Sequence, residues 1–295
     1  MTQPPLKSIM DLFIKWFQSI PSEMWQGALI GAIVSAAFAA AFSFLKKVIL
    51  KLKSQLPIRK ILGEFADNDS PCSIFLKEIY SRDGYYYSTE PDYFPPHTAN
   101  RECRWQNVPH VISDSDVQAA TDFTNLLGQV GKREKVTFRS IARDWDLWSE
   151  NLLSVGGNFK TDRIFELQNP RLVNLVNNGA FRFTDSDQLF QAINGNDYGL
   201  IYKGAHPNTG KICIVLMGLG VRGTEAAGYF FRSRASVLGK MFGDRDFALL
   251  VHVRIEHGKE TASPCWYLPE PQTIKKMLHP VIWNSIFKPL KRNSA

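Results

Sequence analysis

From Trp25 to Leu45 the chain runs for 21 residues without a charged side chain, WQGALIGAIVSAAFAAAFSFL. At about 1.5 Å per residue such a helix spans roughly 31 Å, the thickness of a bilayer's hydrocarbon layer. A buried soluble helix of that length keeps a polar face, and this stretch has none. A cleaved leader would end in a small-residue processing site, whereas this run begins late and ends in lysines. A transmembrane helix over residues 25–45 is therefore expected.

The flanking charges give its direction. Lys46, Lys47, Lys51, Lys53, Arg59 and Lys60 follow the run with no acid among them, while only Lys7 and Lys15 precede it. The positive-inside rule then places the C-terminal domain in the cytoplasm of a single-pass protein of the cell inner membrane. Residues 1–24 read as an amphipathic interfacial helix. Leu6, Ile9, Met10, Phe13, Trp16, Phe17 and Ile20 recur at helical spacing there, and Pro21 ends it. Residues 46–60 read as a basic juxtamembrane helix that stops at Pro57. Small residues recur every fourth position at Gly27, Gly31, Ser35, Ala39 and Ser43, and such a stripe lets helix backbones approach closely. The expected partners are the lipid bilayer and further copies of the chain.

The net charge of +7 comes from the flanks. Besides residues 46–60, residues 272–295 carry Lys275, Lys276, Lys288, Lys291 and Arg292 without an acid, and read as a basic amphipathic C-terminal helix. The body between them is slightly acidic, the reverse of a nucleic-acid-binding domain. Four cysteines (Cys72, Cys103, Cys213 and Cys265) with no CxxC pair make neither a disulfide framework nor a zinc set. Reduced thiols fit a cytoplasmic domain.

Within residues 61–271, and most clearly in the core 107–256, short apolar runs alternate with helical ones. Ser73–Tyr80 reads as a first strand and Tyr85–Pro96 as an irregular loop. Asp116–Val130 is a helix with Ser113 or Ser115 as its cap and Gly131 as its stop. Strands follow at 135–138, 151–155, 198–203 and 212–217, then a helix over Thr224–Met241 and a strand over Phe247–Ile255. The pattern predicts an α/β, Rossmann-like domain with a mostly parallel sheet covered on both faces.

Two turns carry the ligand expectation. Gly218-Leu219-Gly220-Val221-Arg222-Gly223-Thr224 is a GxGxxG run between an apolar strand and a helix, where backbone N–H groups can meet an anion. The acid that completes a dinucleotide fingerprint is displaced, with Glu256 lying too far beyond Gly223. Ser154-Val155-Gly156-Gly157-Asn158 is the second turn. Candidate ligand-binding residues are thus Gly156, Gly157, Asn158, Gly218, Gly220, Arg222, Gly223 and Thr224, for a nucleotide or cyclic nucleotide. Lys160 and Arg163 are further candidates for neutralising phosphate. Glycines needed only to pack a helix on a strand are the open alternative. No catalytic residue and no metal site is assigned, because GxSxG, HExxH, GxxxxGK[ST] and metal-spaced His/Cys clusters are all missing from the sequence. His252, on an expected strand, reads as a structural histidine.

The segments at 118–132, 151–158, 196–211 and 214–230 together resemble an uncharacterised prokaryotic Rossmann-like domain, often attached to membrane segments. That resemblance implies Gly156, Gly157, Asn158, Asp197, Tyr198, Gly199, Gly220, Gly223 and Thr224 as family positions, with no established chemistry. The architecture of one anchor and one nucleotide-binding-like domain is similar to the transmembrane effectors of bacterial cyclic-oligonucleotide anti-phage systems (CBASS). What these readings lead us to expect is a membrane-anchored sensor or effector whose domain binds a nucleotide-type signal and drives oligomerisation or membrane disruption. An inner-membrane-tethered enzyme acting on nucleotides or NAD is the alternative.

Overall fold

The computed structural model describes residues 15, 22–76, 78–82, 85–88, 111–132, 134–140, 148–168, 171–176 and 179–269. The expected helices over 1–24 and 272–295 lie almost wholly and wholly outside these, respectively. The chain divides into two compact units, residues 1–54 and 55–295.

Helix α1, Ser22–Leu62, contains the entire uncharged run. Among the described residues no helix is long and apolar enough to cross a membrane. The side chains of residues 22–34, the first part of the run, lie outside the described ones. From Ser35 onward the described side chains of the run are exposed, with Phe38 at 73% and Phe42 and Phe44 at 70%.

Contrary to expectation, α1 does not stop at Pro57 but continues to Leu62. Proline there removes a backbone donor. The following turn is held by packing instead: Ile61 and Leu62 are fully buried, and the Arg59 guanidinium donates to the Val130 carbonyl at 2.5 Å. Burial of two large aliphatic side chains outweighs one lost hydrogen bond.

The central sheet of the second unit has seven strands. In chain order they are β1 (Cys72–Leu76), β5 (Val136–Ser140), β6 (Asn151–Val155), β10 (Asn196–Ala205), β11 (Ile212–Gly218), β12 (Phe247–Arg254) and β13 (Ser263–Leu268). Their spatial order is β13-β12-β10-β11-β6-β1-β5. Five point the same way, so the sheet is mostly parallel, and β10 and β13 run against them. The reversal of β10 has a local cause. The connection from β10 to β11 closes in a hairpin, His206 N–H donating to the Lys211 carbonyl at 2.8 Å and Gly210 N–H to the His206 carbonyl at 2.8 Å. A link this short cannot make the crossover a parallel pair requires.

The expected strand Ser73–Tyr80 is two strands. Its first part is β1, and its second is β2 (Glu78–Arg82), which joins β3 (Tyr85–Ser88) and β4 (Val111–Ile112) in a small antiparallel sheet. Tyr85–Ser88 is therefore paired strand where a loop was expected. A second small sheet, β7 (Val173–Val176), β8 (Ala180–Phe183) and β9 (Leu189–Gln191), was not foreseen, nor was the short helix α3 (Phe159–Glu166).

Two cores enclose the central sheet. On one face α2 (Asp114–Gln129), α4 (Val221–Met241) and the end of α1 bury Phe65, Phe123, Phe231, Ile61 and Leu62 against Ile74, Leu153 and Leu216. On the other face α3 and the β7–β9 sheet cover Phe75, Leu200, Val215 and Leu250. Helices α2 and α4 cross backbone to backbone, since a Cβ on Gly228 would lie 2.6 Å from the Ala119 Cα.

Lys203 on β10 is buried beneath the end of α1. Its Nζ donates to the carbonyls of Lys60 at 3.4 Å and Asp244 at 3.2 Å, and burial pulls its pKa down to about 8 from the ordinary 10.5. The folded value lies below the unfolded one, so the unfolded chain binds more protons between those two pH values and stability rises with pH across that window. The expected rise from this group is on the order of 2 kcal/mol. Urea midpoints of the full chain at pH 7.5 and 10 should show it, and Lys203→Met should flatten it. An identical pH slope in both proteins would show that the ammonium is not desolvated.

Candidate functional site

The two glycine turns meet at one edge of the central sheet, beyond the carboxyl ends of β6 and β11, which are neighbours in parallel register. Switch-point crevices at such edges are where open α/β sheets hold ligands. The start of β10 reaches the same edge because that strand runs in reverse.

The first turn follows β6. Gly156 has φ +75°, in the left-handed region that favours glycine, and its N–H donates to the Leu216 carbonyl at 2.9 Å. A Cβ there would lie 2.6 Å from an Asp116 carboxylate oxygen, so α2 delivers an acid directly against this turn. Asn158 caps α3. Its Oδ1 accepts from Thr161 N–H at 2.9 Å and from Ser154 Oγ at 3.0 Å, while its amide donates to the Val155 carbonyl at 2.9 Å. It is a buried cap of the usual Asx kind.

The second turn links β11 to α4. Asp197, only 2% exposed, opens β10 and fills this turn. Its Oδ1 accepts from Gly220 N–H at 3.0 Å and from its neighbour Tyr198 N–H at 2.7 Å, and its Oδ2 accepts from Gly223 N–H at 2.7 Å. A carboxylate suits the positive end of a helix dipole, and this one lies where a phosphate was expected. Thr224 is also engaged, its Oγ1 accepting from Gly218 N–H at 2.9 Å.

The glycines explain the close fit. A Cβ on Gly223 would stand 2.2 Å from the Tyr198 carbonyl oxygen, and one on Gly199 would stand 2.2 Å from the Gly223 carbonyl oxygen. One on Gly218 would meet Thr224 N at 2.2 Å. Gly218, Gly199 and Gly223 thus let the first turn of α4 press onto β10 and β11, the packing alternative left open by the sequence.

The expected cations do not converge on this edge. Arg222 Nη1 donates to Glu225 Oε2 at 2.8 Å, and that pairing raises its pKa. Arg163 pairs with Glu166 on α3. Lys160 is fully buried, its ammonium 4.1 Å from the Trp148 ring centroid and 4.9 Å from that of Phe75. Asp116, Asp197 and Glu225 are the buried ionisable groups placed at the edge or in the first turn of α4. No family model matches the chain, and no curated protein does.

The structure thus brings Gly156, Gly157 and Asn158 to the same edge as Gly218, Gly220, Gly223 and Thr224, and adds Asp116 and Asp197. Beside them Tyr198 packs on His252, ring centroids 5.3 Å apart, and His252 Nε2 lies 2.7 Å from Asn196 Oδ1. Burial lowers the His252 pKa, as suits a structural histidine. Burial also pushes the Cys72 thiol up to about 11 and that of Cys213 to about 12, so neither supplies a thiolate nucleophile. Among the described residues, no group of three His, Cys, Asp or Glu side chains is arranged to hold a metal ion.

Proposed function

We propose that this chain is a membrane-anchored sensor or effector, with α1 as a single-pass anchor in the cell inner membrane and the α/β unit as its cytoplasmic head. The observation that carries the reading is the exposure of Phe38, Phe42 and Phe44 within a run free of charge, next to six cations on one side. Water does not tolerate several uncovered phenylalanines around a charge-free helical run, whereas lipid does. The head senses a nucleotide-type signal at the carboxyl edge, where the two turns converge. Because Asp197 occupies the α4 amides, a phosphate reaching them must displace that carboxylate, and binding is thereby linked to the seating of α4 on β10. Its setting is anti-phage defence, a placement resting on architecture alone. Oligomerisation through Gly27, Gly31, Ser35 and Ala39 is the output.

Alkaline phosphatase fused after Ala295 should be inactive, and the chain should resist carbonate extraction. Phosphatase activity there would overturn the cytoplasmic head. Release by carbonate would overturn the anchor. For the sensing half, the solubilised chain should melt higher with at least one member of a cyclic di- and trinucleotide panel, without consuming it. Turnover of a panel member would favour the enzyme instead.

A further inference from the structure

Along α1, the exposed side chains Phe38, Phe42, Leu45, Ile49, Leu52 and Leu56 are spaced by four, three, four, three and four residues. That is an unbroken heptad stripe, with Phe42, Ile49 and Leu56 at a positions and Phe38, Leu45 and Leu52 at d. It is made of different residues from the small-residue stripe, apart from Ser35 and Gly31, which continue its a and d columns towards the N-terminus.

We infer that this stripe is the seam of a parallel, two-stranded coiled coil between two copies of the chain, extending from the membrane into the juxtamembrane segment. The inference rests on the anchored reading, because a shared bilayer holds two copies parallel and at equal depth, which puts identical heptads in register. Lipid does not cover the far end of the stripe. Leu52 lies seven residues beyond Leu45, about 10 Å of helix, whereas the headgroup layer adds only about 5–7 Å to each side of the hydrocarbon. Leu52 is 55% exposed and Leu56 56% exposed, so among the described residues nothing covers the far end of the stripe.

The charge pattern admits a second copy. Lys46 and Lys53 fall at e positions, and the g positions they face across a parallel seam are Ala41 and Val48. Lys47 and Lys51 fall at f and c, away from the seam. No like charges are set opposite each other despite the density of lysine. Ile49 at a, flanked by Leu45 and Leu52 at d, is the one layer with the combination that favours two strands.

Single cysteines test the seam in membranes carrying the full chain with Cys103 and Cys265 changed to Ser. Ile49→Cys and Leu52→Cys should form disulfide-linked dimers under mild oxidation. Lys47→Cys and Leu50→Cys, at f and b, should not. Leu56→Glu added to Ile49→Cys should abolish its cross-link, and these exposed positions leave the fold of the head untouched. Equal cross-linking at all four positions, or none at any, overturns the seam. Carbonate extraction of the same membranes separates the two failures. A chain that stays in the bilayer without a heptad pattern loses the seam alone, and one that washes out loses the anchor.

Discussion

Asp197→Ala is expected to destabilise the α/β unit by about 3–5 kcal/mol, because the carboxylate serves the amides of Gly220, Gly223 and Tyr198 at once. A buried amide left without an acceptor costs about 1–3 kcal/mol, and a carboxylate in a partly buried helix N-terminus contributes up to about 2 kcal/mol. Water entering the vacated space recovers part of that loss. At roughly 2–4 °C per kcal/mol for a unit of this size, the melting temperature should fall by about 10 °C. Asp197→Asn keeps the shape and one acceptor oxygen but presents a donor to the other amide, so its loss should fall between wild type and alanine. The same pair tests the ligand. If a nucleotide phosphate competes for these amides, the Asn variant binds it more tightly than the wild type does. A stability loss below about 1 kcal/mol for the Ala variant would show that the carboxylate does not cap α4.

How much of this could be read from the residues depends on the range of the interaction that fixes each element. β6, β11 and β12 coincide with short, nearly unbroken apolar runs, since strands buried on both faces must be apolar throughout. The body of α4 was legible for a similar reason, its start marked by glycines. Direction was not legible. The runs that became β10 and β11 look alike whether joined by a crossover or a hairpin, and the six-residue link His206–Lys211 carried the only local sign. The β7–β9 sheet lies in a stretch rich in Asn and Asp, where pairing between neighbours decides the structure and periodicity is short. Pro57 misled because local propensity argued for a stop, while Ile61 and Leu62 supply tertiary contacts invisible at that range.

The candidate site was half legible. Glycine turns announce themselves locally, but the groups that fill them come from elsewhere in the chain. Asp197 precedes Gly223 by 26 residues and meets it only because β10 is reversed. Asp116 entered the sequence reading only as the first residue of an expected helix, and nothing near it in sequence pointed to Gly156. A GxGxxG run marks a place where backbone can come close. Whether a phosphate or the chain's own carboxylate takes that place is set by tertiary partners.

Gly239→Ala should cost about 3 kcal/mol net, against the trend for its kind of position. In the interior of a helix such as α4, alanine is favoured over glycine by about 1 kcal/mol. Here a Cβ would stand 1.8 Å from the Pro57 carbonyl oxygen and 2.4 Å from its carbon. Both are backbone atoms, so no side chain can rotate away, and one helix must shift by more than an ångström. The shift would drag on Ile61 and Leu62, fully buried one turn further along α1. Overpacking typically costs about 1–3 kcal/mol and more when backbone is displaced, which exceeds the gain in propensity. Gly128 on α2 supplies the control, since it is exposed and a Cβ there meets nothing within 4 Å. Gly128→Ala should therefore stabilise by up to about 1 kcal/mol. Denaturant midpoints of the two variants should move in opposite directions. If both rise, α1 does not seat its Pro57 turn on α4 this closely, and the end of α1 is held to the α/β unit by its buried side chains alone.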